Sequence, residues 1–294
     1  MKNHIMKTAT PSASGTLQQL LYRHGKKLIW TFSLVLAENV LLITYPLFAG
    51  FAINAMIQGK RLTALSYALI VLCMWGVGAA RRSVDTRTFS RIYAKLAVPV
   101  ILSQRSDQQV HSTIAARVAL SREFVDFFET HLPVLVTTII SIIGAALMLT
   151  VLEPLVGAVA VVMLAIFASF LPRFSRINNA LYFRLNNRLE KEVGFVGAAK
   201  EYTLSRHYIM IACLRIRLSD REAWAYMTIG IASAILFGAA IIILTGRTGL
   251  HAGHIYSVMT YLWMFALSLD DAPQLVDQYS KLKDIGKRVN TGLG

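Results

Sequence analysis

Of the chain's 30 Lys and Arg residues, 27 fall in four stretches separated by long apolar runs. Five precede Leu28, eight lie between Arg81 and His131, ten between Arg173 and Ala223, and four follow Leu269, which leaves only Lys60, Arg61 and Arg247 elsewhere. Six apolar segments run between these charges, at approximately 28–57, 62–80, 132–152, 154–172, 224–245 and 255–269. Each is long enough, or nearly so, to cross about 30 Å of hydrocarbon at about 1.5 Å per helical residue. Cytoplasmic flanks carry the excess of Lys and Arg, so the segregation predicts both termini and both long connections on the inner side, as in a multi-pass protein of a bacterial inner membrane.

Composition agrees with a lipid solvent. Apolar residues make up 55% of the 294, more than one soluble core can bury. The net charge of +14 raises the possibility of nucleic-acid binding, but cations sorted by membrane side predict only non-specific attraction to phosphate. Cys73 and Cys213 are too far apart in sequence for a metal or disulfide pattern and read as packing residues. The opening MKNHIMKTATPSASG lacks the apolar core and cleavage site of a secretory signal, so the first segment is expected to be retained.

The connections alternate in length. Segments one and two meet at Gln58-Gly59-Lys60-Arg61 and segments three and four at Glu153-Pro154, and five and six are also joined by a short turn. Segments two and three, and four and five, are joined by stretches of about fifty residues, too long for structureless loops. Apolar residues recur there at helical spacing, as in Ile177, Leu181, Leu185 and Leu189 among Arg184, Arg188 and Lys191. Two helical hairpins reaching on the order of 35 Å past the membrane are predicted. Residues 1–15 read as disordered. Over 16–27, Leu17, Leu20 and Leu21 alternate with Arg23, Lys26 and Lys27, a pattern suited to a short interfacial helix. The predicted fold is an all-α membrane protein of six transmembrane helices with long cytoplasmic extensions, helices lying near 28–57, 62–106, 113–152, 154–202, 208–246 and 252–288 of a domain covering 16–290.

Ionisable side chains inside apolar segments are costly and are therefore functional candidates. Glu38 lies eleven residues beyond Lys27, about 16 Å along a helix and near mid-bilayer, with Asn39 beside it to share a proton or ligand. Pairing to a neighbouring helix, or a position nearer the inner surface, is the structural alternative. Asp270 and Asp271 sit deep in the sixth segment before Pro273. Adjacent carboxylates point about 100° apart, so at most one faces a cavity, and both are solvated instead if Pro273 marks the interface. Glu129 and His131 precede Pro133 at the start of the third segment, where a histidine relays protons or is simply solvated. His251 and His254 are three apart but supply no third metal ligand, and read as surface residues. Most aromatics fit interface anchoring, while Phe48, Tyr261 and Phe265 are candidates to line a substrate cavity. No Ser, His and Asp arrangement points to a hydrolase, and no cofactor or metal site is expected in the chain itself.

Four segments resemble the transmembrane domain of ATP-binding-cassette (ABC) exporters. YPLFAGFAINAMIQGK, with Pro46, Gly50, Ile53 and Asn54, is similar to the exporter pattern at the end of the first span, Asn54 standing where an Asp is usual. STIAARVALSREFVDFF, with Arg117, is similar to the stretch after the first cytoplasmic turn, and EVGFVGAAKEYTLSRHYI to the second, where Lys200 and Glu201 precede the helix that docks on the nucleotide-binding domain. LHAGHIYSVMTYLWMF is similar to the opening of the sixth span. The resemblance implies a homodimer enclosing a cavity and moving a small amphipathic molecule, peptide or siderophore. Two departures matter. The sequence contains no GxxxxGK[ST] phosphate loop and ends in TGLG near where an ATPase domain would begin, so the chain is expected not to hydrolyse ATP. The first inner turn, SQRSDQQVHST, lacks the usual aromatic pair. Energy is then expected from a separate ABC ATPase subunit or from proton coupling through Glu38 or Asp270. A non-transporting immunity, sensor or assembly subunit built on the same fold is the alternative.

Overall fold

The computed structural model describes residues 13–106, 122, 126–190 and 200–291. Regular structure among them is helical throughout: α1 (Ala13–Ile57), α2 (Arg61–Ser106), a π-helical turn (Phe127–His131), α3 (Leu132–Leu152), α4 (Pro154–Glu190), α5 (Glu201–Thr245) and α6 (Ala252–Thr291). Residues 1–12, most of the first inner turn with Arg117, and the second inner turn at 191–199 lie outside the described residues.

Among the described residues, five helices are long and apolar enough to cross a membrane: α1 over Leu28–Ile57, α2 over Arg61–Ala94, α3 with its preceding turn over Glu129–Leu152, α4 over Pro154–Leu189, and α5. The sixth predicted crossing does not reach that standard, because His254, Tyr256, Ser257, Thr260 and Ser268 dilute the apolar run of α6. The helices are far longer than a bilayer requires. At 45 residues, α1 and α5 would each extend about 68 Å.

Two expectations need correction here. The interfacial helix over 16–27 is not a separate element but the start of α1, and Ala13 to Gly15 are helical; Gly25 alone, with no proline nearby, does not break a helix. Cys73 and Cys213 are exposed rather than packed, since each lies on a helix face turned away from its neighbours.

Short turns end the helices in identifiable ways. Gly59 adopts φ 71°, and its N–H donates to Met56 O at 3.0 Å while Lys60 N–H donates to Ala55 O at 2.9 Å, the paired bonds of a glycine-terminated helix. Between α3 and α4 only Glu153 is non-helical, and Pro154 starts α4 at the position where its missing N–H costs nothing. The two helices leave this turn in close contact, because a Cβ on Gly157 would collide with the backbone of Thr150. That proximity requires glycine.

The chain forms two compact units. The first comprises α1 as far as Phe48, Ala55–Ile140 and the last residues from Gln278. Here Leu28 of α1 packs on Phe89 and Ile92 of α2, flanked by Phe32 and Tyr93. The second comprises Ala49–Asn54 and Ser141–Asp277. Its core interleaves small residues, Ala145, Ala146, Ala160 and Ala240, with Leu149, Leu236, Tyr261, Leu262 and Phe265, the close packing that lipid-embedded helices favour. On the opposite face of α3, Ile139, Ile143, Leu147 and Val151 are exposed. A helix apolar on both faces is at equilibrium only where the surroundings are themselves apolar.

Candidate functional site

In the first unit, α1 and α2 run antiparallel from the Gly59 turn and bring charges together on their shared face. The α1 residues turned inward, Leu28, Thr31, Val35, Asn39 and Pro46, recur at helical spacing. Glu38 lies at the edge of this stripe and pairs with Arg81 Nε. Gly78, one turn from Arg81 on the same face, leaves room for the carboxylate: a Cβ there would lie 3.1 Å from Glu38 Oε1. Arg81 Nη1 also donates to Asp85 Oδ2 at 3.2 Å, and Asp85 is buried with its Oδ1 unpartnered. Beside the pair, Asn39 Nδ2 donates to Val35 O at 2.7 Å and to Thr137 Oγ1 of α3 at 3.2 Å.

Counted from the Gly59 turn, both Glu38 and Arg81 are about 31 Å away at helical rise, so Glu38 meets the pairing to a neighbouring helix that was the structural alternative for it.

Glu129 and His131 occupy the π-helical turn, where Leu132 N–H reaches back five residues to Phe127 O. Pro133 explains the wide turn. It has no N–H to donate to Glu129 O, and its ring crowds that carbonyl outward. The turn packs against α2, and both Glu129 and Glu38 lie within electrostatic reach of Asp85. Two of these carboxylates, Glu38 and Asp85, thus share one guanidinium. His131 instead stacks by Phe127, ring centroids 5.9 Å apart. Arg81 and Asp85 were not singled out from sequence, where both fell in a long connection. Their signal was the twenty-residue spacing from Arg61, which puts Arg81 at the end of a span, and the i, i+4 Arg–Asp pair.

The other candidates belong to the second unit, apart from Phe48, which is exposed on α1 at the end of the first. Asp270 is half-buried and Asp271 exposed on α6. Tyr261 and Phe265, the aromatic cavity candidates on α6, are both fully buried in a core shared with α3, α4 and α5, because they share a face of α6 with Val258, Leu262 and Leu269.

The short-turn end of this unit holds a second polar cluster. Glu153, 0% exposed, places Oε1 2.9 Å from His254 Nε2 and Oε2 3.1 Å from Arg247 Nη2. His254 is thus not the simple surface residue expected from sequence, whereas His251 is exposed. Nearby, Asn54 Oδ1 accepts from Gly253 N–H at 2.9 Å, satisfying a free donor in the first turn of α6. Ala49–Asn54 and the start of α6 approach so closely that a Cβ on Gly50 would strike Gly253 O, and one on Gly253 would strike Gly50 O. Pro46-x-x-x-Gly50 and the Ala252-Gly253 opening, noted separately in sequence, owe their glycines to this joint. Among the described residues, no three His, Cys, Asp or Glu side chains gather as metal ligands.

Apolar helices in this number, with charges matched at both ends of the spans, make a multi-pass membrane protein. No curated protein matches the chain. A family model for the ABC transporter transmembrane region matches residues 17–253, well over half of the sequence, and the chain belongs to that family of membrane transporter subunits.

Proposed function

We propose that the chain is the membrane subunit of an ABC-type exporter, working as a homodimer with a separate ATPase subunit and carrying a small amphipathic molecule, peptide or siderophore out through a bacterial inner membrane. The observation that carries this reading is the α4–α5 pair. Each helix needs about twenty residues to cross, and the remainder of each continues alongside the other. Leu185, Ile211 and Leu218 form an apolar seam flanked by Leu181, Leu189 and Leu214. Tyr182 OH donates to Glu222 Oε1 at 3.1 Å, and Arg221 Nε donates to Asn178 Oδ1 at 2.9 Å. Such a stiffened rod transmits force between the membrane and a motor outside it. A carrier driven by protons alone has no need of one.

The ion pair with Arg81 gives Glu38 a structural role in joining α1 to α2. The chain itself contributes no ATPase chemistry in this reading, and ATP acts only through the partner. A sixth crossing by α6 is supported by Val258, Tyr261, Leu262, Phe265 and Leu269, which pack in one core with α3, α4 and α5. Six crossings return both termini to the cytoplasmic side.

Reconstitution in proteoliposomes tests the proposal. Transport of an amphipathic solute that requires both an added ATPase subunit and ATP supports it. Transport that follows an imposed pH gradient without nucleotide, and stops with Glu38→Gln, replaces the ATPase by proton coupling. A stable complex with another membrane protein and no transport under either condition identifies a non-transporting subunit.

A further inference from the structure

The α4–α5 pair carries arginines that the transport reading does not use. Arg173 and Arg176 lie 19 and 22 residues beyond Pro154, about 28–33 Å along α4 and so just past the hydrocarbon boundary. Counting back from Thr245 along α5, Tyr226, Trp224 and Arg221 fall at about 28, 31 and 36 Å. Two helices counted from different turns thus place the same boundary at the same residues. The aromatics there are strongly exposed, Phe170 at 66%, Trp224 at 73% and Tyr226 at 67%, as expected of side chains at headgroup level.

The arginines divide into two kinds. Arg221 is held inward, over the Phe174 ring at 5.1 Å to its centroid and bonded to Asn178. Arg173 and Arg176 are exposed, three apart on one face of α4, and among the described residues neither has an acidic partner. Two other arginines near the ends of spans are matched, Arg81 by Glu38 and Asp85 and Arg247 by Glu153. Unmatched guanidiniums at this depth meet phosphodiester oxygens, which accept two parallel N–H bonds from each fork.

We propose that Arg173 and Arg176, flanked at the same depth by Trp224 and Tyr226, bind the phosphate headgroup of an anionic phospholipid. An acidic protein surface is disfavoured because the pair lies within the headgroup layer, whereas Arg184, about 45 Å from Pro154, stands clear of it. Free phosphate is disfavoured because the aromatics supply apolar surface that only a lipid uses.

The test is the competition of spin-labelled phosphatidylglycerol against phosphatidylcholine for the full chain in nanodiscs of phosphatidylcholine. A cation near an anionic lipid surface is worth about fivefold in affinity, so Arg173→Gln with Arg176→Gln should lower the preference for phosphatidylglycerol about twenty-fivefold. The Arg173→Lys, Arg176→Lys pair should retain part of it, and Arg184→Gln all of it. The proposal is overturned if Arg184→Gln lowers the preference as much, if the Gln pair leaves it unchanged, or if inorganic phosphate displaces the labelled lipid. Should the Gln pair fail to fold, Arg173→Gln and Arg176→Gln singly carry the comparison. The measurement needs neither ATPase nor transported solute, so its outcome is independent of the transport reading.

Discussion

Glu38 and Arg81 face each other across the α1–α2 hairpin at nearly equal distances from Gly59, so the turn fixes their meeting as firmly as the charges do. Arg81 serves Asp85 as well, and the two carboxylates are not equivalent: Asp85 is 3% exposed, while the Glu38 side chain is 27% exposed. Lipid around the hairpin makes an unmatched charge expensive, and the pair lowers that cost while joining two helices that otherwise share mainly apolar contacts.

This asymmetry predicts unequal losses. Glu38→Gln leaves Arg81 bonded to Asp85, whereas Arg81→Gln strands both carboxylates. Stranding a buried charge costs about 3–5 kcal/mol at full burial, and somewhat less at this partly exposed site. The thermal midpoint of the purified protein in detergent should fall clearly further for Arg81→Gln, and adding Asp85→Asn to it should recover part of the loss. Equal midpoints for the two single variants would show that the Arg81–Asp85 pair adds nothing beyond Glu38–Arg81.

The α1–α6 joint makes a sharper steric prediction. Gly50→Ala or Gly253→Ala puts a methyl group onto facing backbone, an overpacking worth about 1–3 kcal/mol. Gly230→Ala meets nothing within 4 Å and should gain up to about 1 kcal/mol from helix propensity. Opposite signs in one denaturation series are the expected outcome. Within the same joint, Asn54→Ala should cost about 1 kcal/mol as a lost helix cap, while Asn54→Asp keeps the acceptor and adds a charge that the N-terminus of α6 favours.

At the same end of that unit, the full burial of Glu153 makes partial removal worse than complete removal. His254→Phe deprives Oε1 of its partner, at about 1–3 kcal/mol for an unsatisfied buried group. Combining it with Glu153→Leu removes the carboxylate too, and Arg247, whose side chain is 49% exposed, can turn to water. The double variant should therefore unfold at a higher temperature than His254→Phe alone. A double variant less stable than the single would mean that Glu153 carries contacts beyond these two.

Much of this architecture was legible because lipid imposes simple rules. Apolar length and cation placement pointed to five of the spans and to the short turns without any knowledge of packing, and the order of the exporter-like segments pointed to the family. Depth was less legible. Counting residues from Lys27 and from Gly59 gives Glu38 different depths, because α1 continues on both sides of Lys27. Partners were less legible still, since Arg81 and Asp85 become neighbours of Glu38 only once the Gly59 turn sets the register. Tyr261 and Phe265 show the same limit from the other side: aromatic character alone does not distinguish a cavity wall from a core position, and the face they share with Val258 and Leu262 decides it.

Sidedness gives the last prediction. With Cys73 and Cys213 replaced by Ala, single cysteines at Lys60 and Arg247 should react with an impermeant maleimide from one face of sealed vesicles, and cysteines at Arg82 and Arg184 from the other. The basis is length: Arg82 lies about 32 Å along α2 from Lys60, and Arg184 about 45 Å along α4 from Pro154, each more than a hydrocarbon thickness. A cysteine at Asp271 discriminates five crossings from six. If α6 spans, it reacts from the Arg184 side; if α6 turns back among the other helices, it reacts with Arg247. Labelling of Lys60 and Arg184 from the same face would remove the crossing of α2 or α4, and with it the division of cations on which the transporter topology depends.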